Sequence, residues 1–181
     1  GQGGIGLLFD AVLRRLGARK VIGVDVRQAR LGMARQMGAT HTVDASSDDL
    51  LEAVTELTDG DLADVVVEAS GEAETIGISY KLAKTQGQLV LFGIPRTDDV
   101  FELDYLDFFR RYLNVFTSSG AQFEAGLRSF RLGVDLIARG EIDVSPMVTH
   151  TFSFTPAEVQ RAFDLAHTRE EGVGRALIQV G

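Results

Sequence analysis

The sequence predicts an α/β chain built on a doubly wound parallel sheet, and two patterns point there. Short β-branched runs alternate with amphipathic helical stretches along residues 1–144, and glycines punctuate the helix ends. Repeated strand and helix units imply parallel strands, because a crossover long enough to hold a helix returns the chain in the same direction.

The elements follow in order. From Ile5 the apolar residues Ile5, Leu8, Phe9, Val12, Leu13 and Leu16 recur at helical spacing, with Asp10, Arg14 and Arg15 elsewhere. This spacing predicts an amphipathic helix that Gly17 ends. Residues 20–25 carry Val21, Ile22 and Val24 and end in Asp25, the pattern of a buried strand. A helix over 27–37 closes at Gly38, a strand follows at 40–43, and Ser46 is the expected cap of a helix whose stripe is Leu50, Val54 and Leu57. Then come a strand at 63–68, a helix over 71–84 and a strand at 88–92. After a loop over 93–100, a short helix at 105–111 leads to a strand at 113–118. Phe123, Leu127, Phe130, Val134 and Ile137 lie on one face of the next helix, which Gly140 ends. The tail reads as a strand at 147–154 and a helix opened by Thr155, Pro156 and Glu158. Its expected stripe is Val159, Ala162, Phe163 and Ala166, and a last strand covers 175–180.

Bulk properties narrow the function. With 45% hydrophobic and 24% charged residues the chain has a globular composition. Lys and Arg number 18 against 26 Asp and Glu, a net charge of −8, so no nucleic-acid partner is expected. Apolar runs such as 5–9 and 65–67 fall far short of the roughly 20 residues that span a bilayer, so no membrane partner is expected, and no signal peptide is seen. Cysteine is absent, and His41, His150 and His167 are far apart in sequence. The chain therefore has no disulfide framework, no thiolate for catalysis and no compact metal motif, and a cytoplasmic location is expected.

The chemistry sits at the start. Gly1, Gly3 and Gly6 have GxGxxG spacing directly before the first helix. The first glycine permits a tight turn, the second lets a pyrophosphate approach the backbone, and the third lets helix and sheet pack closely. Unpaired N–H groups and the partial positive charge of the helix start suit an anion. Asp25, 19 residues after Gly6 at the end of the next strand, can accept from ribose hydroxyls. A methyltransferase also has a glycine loop and an acid after its second strand, but its glycines usually alternate, and residue 5 here is Ile5. The strand that should lead into Gly1, central in this fold, is missing, so the chain is expected to be part of a longer one.

Six segments together resemble the medium-chain dehydrogenases and reductases, in their zinc-containing alcohol and polyol dehydrogenase branch. They are GQGGIGLL at 1–8, VIGVD at 21–25, MGATHTVDA at 37–45, VVVEASG at 65–71, LVLFGIP at 89–95 and VTHTFSF at 148–154. The resemblance implies a Rossmann-type dinucleotide-binding domain over 1–144, lacking its first strand. Residues 145–181 would be a segment returning to a catalytic domain. It also implies that a catalytic zinc is held by cysteine and histidine ligands in an absent N-terminal half, and that the substrate is a small-molecule alcohol or polyol.

Position by position, the resemblance sets the pyrophosphate against Gly3, Gly4 and Ile5, and the adenosine ribose on Asp25 with Arg30 nearby. Ala69, Ser70 and Gly71 would line the wall beside the cofactor. Backbone groups of Phe92, Ile94 and residues 116–118, ending at Ser118, would meet the nicotinamide. Arg175 matches an arginine that reaches the pyrophosphate, and its other reading is an exposed charge at a strand start. His150 is structural by the same analogy, so no catalytic residue is assigned in this chain. The expected cofactor is NAD rather than NADP on the strength of Asp25, although Arg27 departs from the small or neutral residue common there in NAD users. A homodimer or dimer of dimers is expected through edge strand 113–118. Two other functions stay open: a zinc-free NADPH-linked quinone or enoyl reductase of the same family, and a nucleotide-sensing module without chemistry.

Overall fold

A computed structural model describes residues 1–95, 100–118, 120–170 and 172–181. Part of the expected 93–100 loop, residues 96–99, lies outside the described residues. The chain divides into two compact units, one of Gly1 and residues 43–134, the other of residues 2–42 and 135–181.

In the second unit, helix α1 (Gly4–Arg15) leads to strand β1 (Ile22–Asp25), helix α2 (Gln28–Gln36) and strand β2 (His41–Asp44), the last crossing into the first unit. β1 pairs with β2. Leu7 packs with Val21, Met33, Ala34, Met37, Ala39 and Met147 in one buried cluster. The stripe expected on α1 needs correction. Gly6, Leu7 and Asp10 are its buried residues, while Ile5 and Leu16 are exposed. The helix is turned so that Leu7, flanked by a glycine and an acid, meets the cluster, with Leu8, Ala11 and Leu13 only partly covered. Asp10, expected on the polar side, is 4% exposed. One of its carboxylate oxygens has no hydrogen-bond partner, and burial pushes the carboxyl up to about 7 against a hydrogen bond from Gln2.

The same unit holds β6 (Val148–Ser153), α7 (Pro156–Thr168) and β7 (Arg175–Gln179). β6 and β7 pair in parallel, and Thr155 caps α7 by accepting from the Glu158 N–H at 3.4 Å, as its capping box predicts. Here too one stripe is corrected. Ala162 and Leu165 pack against Phe152 and Val173, whereas Phe163 and Ala166 are exposed, because the adjacent strip of the helix meets the strands.

The first unit carries α3 (Leu50–Leu57), β3 (Ala63–Glu68), α4 (Ala73–Ser79), β4 (Ala83–Leu91), α5 (Tyr105–Arg110) and β5 (Asn114–Thr117). These strands form a parallel sheet in the order β3-β4-β5, with Val66 opposite Leu89 and Leu89 opposite Val115. Asp49, not Ser46, caps α3 by accepting from the Glu52 N–H at 3.0 Å. The Ser46 hydroxyl is committed to Asp44 at 2.6 Å. The helix expected over 71–84 stops at Ser79, because Ala83 already pairs with Ala63 as the first residue of a nine-residue strand. Cover on both faces of the sheet is incomplete, since Val65 and every residue of β5 are exposed. Helix α6 (Arg128–Ala138), which spans the division between units, has no buried residue; Gly140 at φ 69 follows it. Within the described residues the strands pair as β1-β2, β3-β4-β5 and β6-β7, and the alternation of strands and helices with parallel pairing is the α/β architecture the sequence predicts.

Candidate functional site

The expected site residues are divided between the two units. In the second unit, Gly3 is the N-cap of α1, and its carbonyl accepts from the Leu7 N–H at 3.0 Å. Gly4, Ile5 and Gly6 are the first helical residues, so their N–H groups have no partner within the helix and are available to an anion. A side chain built at Gly3 would meet nothing within 4 Å, so the backbone can be approached there. At Gly4 the opposite holds: a Cβ would fall on the guanidinium of Arg175, which therefore lies against the helix start. Arg175 is the first residue of β7, exposed, so the strand positions this charge.

Asp25 ends β1 and is buried. Its Oδ2 accepts from the Gln2 N–H at 2.7 Å, its Oδ1 accepts from the Arg27 N–H at 3.0 Å, and Arg30 Nη1 lies 3.4 Å from Oδ2. The carboxylate thus ties the glycine loop to the strand end. That second task, pinning Gln2, was not foreseen. An ionised carboxylate offers about four acceptor positions, so Asp25 keeps capacity for a ribose hydroxyl beyond these partners. Arg30, placed by the resemblance near the ribose, does stand beside Asp25.

In the first unit, Ala69, Ser70 and Gly71 follow β3 and precede α4. The residue that organises them is Glu68, to which sequence reasoning gave no role. It is buried, and its Oε1 accepts from the Ser70 N–H at 2.8 Å and the Ser70 hydroxyl at 2.6 Å, with the Thr75 hydroxyl at 2.9 Å. The Gly71 N–H lies 3.1 and 3.2 Å from its two oxygens. Burial alone would raise the Glu68 carboxyl, but these donors from Ser70, Thr75 and Gly71 together hold it below its usual value. Its backbone carbonyl also accepts from the N–H groups of Phe92 and Gly93, each at 2.9 Å. Two glycines make the loop possible. Gly71 has φ 77 and a Cβ there would strike the Ile94 carbonyl, while a Cβ at Gly93 would overlap Gly71 and the Glu68 carboxylate. The sequence held one clue to Glu68: an acid ending an apolar strand run must find donors if it is buried.

Ile94 is exposed, and the Ser118 N–H donates to the Leu91 carbonyl at 3.1 Å, extending the β4–β5 ladder by one bond. Gly1 belongs to this unit, where a Cβ on it would come 3.1 Å from that of Ser70. His150 sits in β6, its ring stacked near Phe152 at 6.3 Å between centroids and its Nδ1 2.8 Å from the Thr149 hydroxyl. Among the described residues no group of three or more His, Cys, Asp or Glu side chains is arranged to hold a metal, and no helix is long and apolar enough to cross a membrane.

Residues 4–138 match the family described as zinc-binding dehydrogenase. Sorbitol dehydrogenase 1 of Saccharomyces cerevisiae is 33% identical over 94% of this chain and 48% of its own length. L-threonine 3-dehydrogenase of Bacillus subtilis is 32% identical over 95% of this chain and 48% of its own. A putative zinc-binding dehydrogenase from Sinorhizobium meliloti, solved bound to NADP, superposes with a TM-score of 0.85 at 31% identity, over 99% of this chain and 51% of that one. The chain thus spans about half the length of the relatives it matches.

Proposed function

The chain belongs to the zinc-binding dehydrogenase family, and from that premise we propose that it is the dinucleotide-binding part of an NAD(P)-dependent alcohol or polyol dehydrogenase. Residues 1–144 are then the dinucleotide-binding domain, and residues 145–181 the segment that returns to the catalytic part. The observation that carries this reading is the arrangement at the start of α1, where Gly3 is open, Arg175 lies against Gly4 and Asp25 pins Gln2.

These residues fit a dinucleotide. The N–H groups of Gly4, Ile5 and Gly6, with Arg175, take the pyrophosphate, an anion at a helix start with a charge-assisted donor beside it. Asp25, with Arg30, takes the adenosine ribose. Ala69, Ser70 and Gly71 form a wall for the cofactor, held in shape by Glu68. Backbone groups of Phe92, Ile94 and Ser118 serve the nicotinamide carboxamide. The nicotinamide supplies hydride transfer when bound, and the chain's share is binding and orientation. The donor set does not fit zinc, since the chain has no cysteine and no cluster of ligating side chains among its described residues. Zinc is assigned to a catalytic half outside these residues.

The test is turnover of a panel of polyols and other alcohols with NAD by the full-length protein, together with metal analysis. Alcohol oxidation that is lost on chelation is expected, while the 181-residue chain alone is expected to show no turnover and no stoichiometric zinc. NADPH-linked reduction of quinones or enoyl compounds without zinc would instead favour the zinc-free branch. Zinc held by this chain's own side chains would contradict the reading outright.

Strand β5 supports a dimer in the same protein. It pairs with β4 on one side, and Val115 and Phe116 are exposed. An exposed apolar edge strand is a pairing template, which a twofold mate removes by extending the sheet. Sedimentation should find a dimer in the wild type and weaker association in Val115→Lys. A wild type that stays monomeric at high concentration rules this assembly out.

A further inference from the structure

Arg27 stands two residues after Asp25, where a guanidinium beside an aspartate proposed for the ribose suggests a reader of a 2′-phosphate. Its side chain is committed elsewhere. Nη1 of Arg27 donates to the backbone carbonyl of Arg169 at 2.5 Å. Arg169 ends α7 in the left-handed region at φ 56, with its own N–H returning to the Leu165 carbonyl at 2.9 Å. A carbonyl at a helix C-terminus lacks an intrahelical donor and lies at the negative end of the helix dipole, so a guanidinium is a suitable partner.

Between Arg169 and Arg175, residue 171 lies outside the described residues. Val173 is buried with Phe152, Ala162 and Leu165, and the Gly174 N–H donates to Thr149 Oγ1 at 2.9 Å. Gly172, at φ 66, lies where a Cβ would stand 3.1 Å from the methyl of Ala29 in α2. Arg169 and Gly172 therefore meet the start of α2, one through a hydrogen bond from Arg27 and the other through a close approach to Ala29. Arg175 follows as the first residue of β7, paired with Val148, with its guanidinium against Gly4.

We propose that Arg27 is a positioning residue, a latch that holds the C-terminal end of α7 at Arg169 so that Arg175 stays at the start of α1, and not a reader of the 2′-phosphate. The proposal rests on the dinucleotide-binding reading. It separates two properties that a phosphate reader would join. Arg175 is then fully in place only in molecules where Arg27 holds Arg169, and apparent affinity falls by that fraction. Loss of the latch then weakens every ligand that carries the pyrophosphate by one factor, with or without a 2′-phosphate.

The experiment is calorimetric titration of the full-length protein with ADP-ribose, NAD and NADP, in wild type, Arg27→Ala, Arg27→Lys, Arg175→Ala and the double alanine variant. Arg27→Ala is expected to weaken all three ligands by the same factor, about threefold to tenfold. Arg27→Lys, which keeps a donor, should stay nearer the wild type. In the Arg175→Ala background, Arg27→Ala should change affinity by less than about twofold, because two residues acting through one contact do not add. Additive losses, or a loss confined to NADP, would overturn the latch. A wild type that binds none of the three ligands would instead overturn the dinucleotide reading itself, and the latch with it.

Discussion

Glu68→Ala is expected to destabilise the folded protein by about 2 to 4 kcal/mol, because several buried donors lose their shared acceptor at once. The size follows from what is left behind. The N–H groups of Ser70 and Gly71 and the hydroxyl of Ser70 all donate to this carboxylate, and a buried donor without an acceptor costs about 1 to 3 kcal/mol. Glu68→Gln should cost less, since an amide oxygen can replace Oε1, but its NH2 group would face the Gly71 N–H at the Oε2 position. Urea midpoints of the three proteins measure this, and an alanine variant within about 0.5 kcal/mol of wild type, the scale of a neutral surface change, would show that the network is not structural.

The same carboxylate has a pH signature. Its folded-state value is held below the ordinary glutamate value, so its contribution is present above the unfolded-state pKa and is lost as pH falls through the folded one. Acid sensitivity of the wild type in that range should therefore be reduced in Glu68→Gln, which has no proton to gain. Asp10 carries the opposite sign. Raised by burial to about 7, its contribution is fully present below the ordinary aspartate value and is lost as pH rises from there through about 7.

Much of the fold is legible in the sequence, for a physical reason. Element type follows from local spacing and from glycines, and the order of helices and strands from α1 to β7 matches the periodic reading with boundaries moved by a few residues. What depends on partners distant in sequence was not legible. Leu7 and not Leu16 is buried because of where Val21 and Met147 lie. Ala83 and Lys84 are strand because Ala83 finds Ala63. At the site, glycine spacing and Asp25 stood out because they are chemically distinctive where they occur. Glu68 and Gln2 did not, since one reads as a strand end and the other acts through its backbone N–H.

Asp25 carries the sharpest expectation about cofactor choice. Its carboxylate can accept from a ribose hydroxyl of NAD, a bond to a charged group worth about 1.5 to 3 kcal/mol. NADP replaces one hydroxyl with a phosphate, so that bond is lost and two anions are brought together. The lost bond alone corresponds to roughly a tenfold to hundredfold preference for NAD. Arg30 offsets part of the repulsion, since it stands 3.4 Å from Asp25 and a guanidinium also suits a phosphate. Asp25 also pins Gln2, so its replacement loosens the glycine loop and lowers affinity for both cofactors. The ratio of the two affinities, not either value alone, reports discrimination. The most direct measurement is the NAD and NADP dissociation constants of the full-length wild type and of Asp25→Ser. The predicted result is tight NAD binding at least about tenfold over NADP in wild type, with the ratio moved toward NADP in the variant. Equal affinities in wild type, or a ratio that Asp25→Ser leaves unchanged, would contradict it.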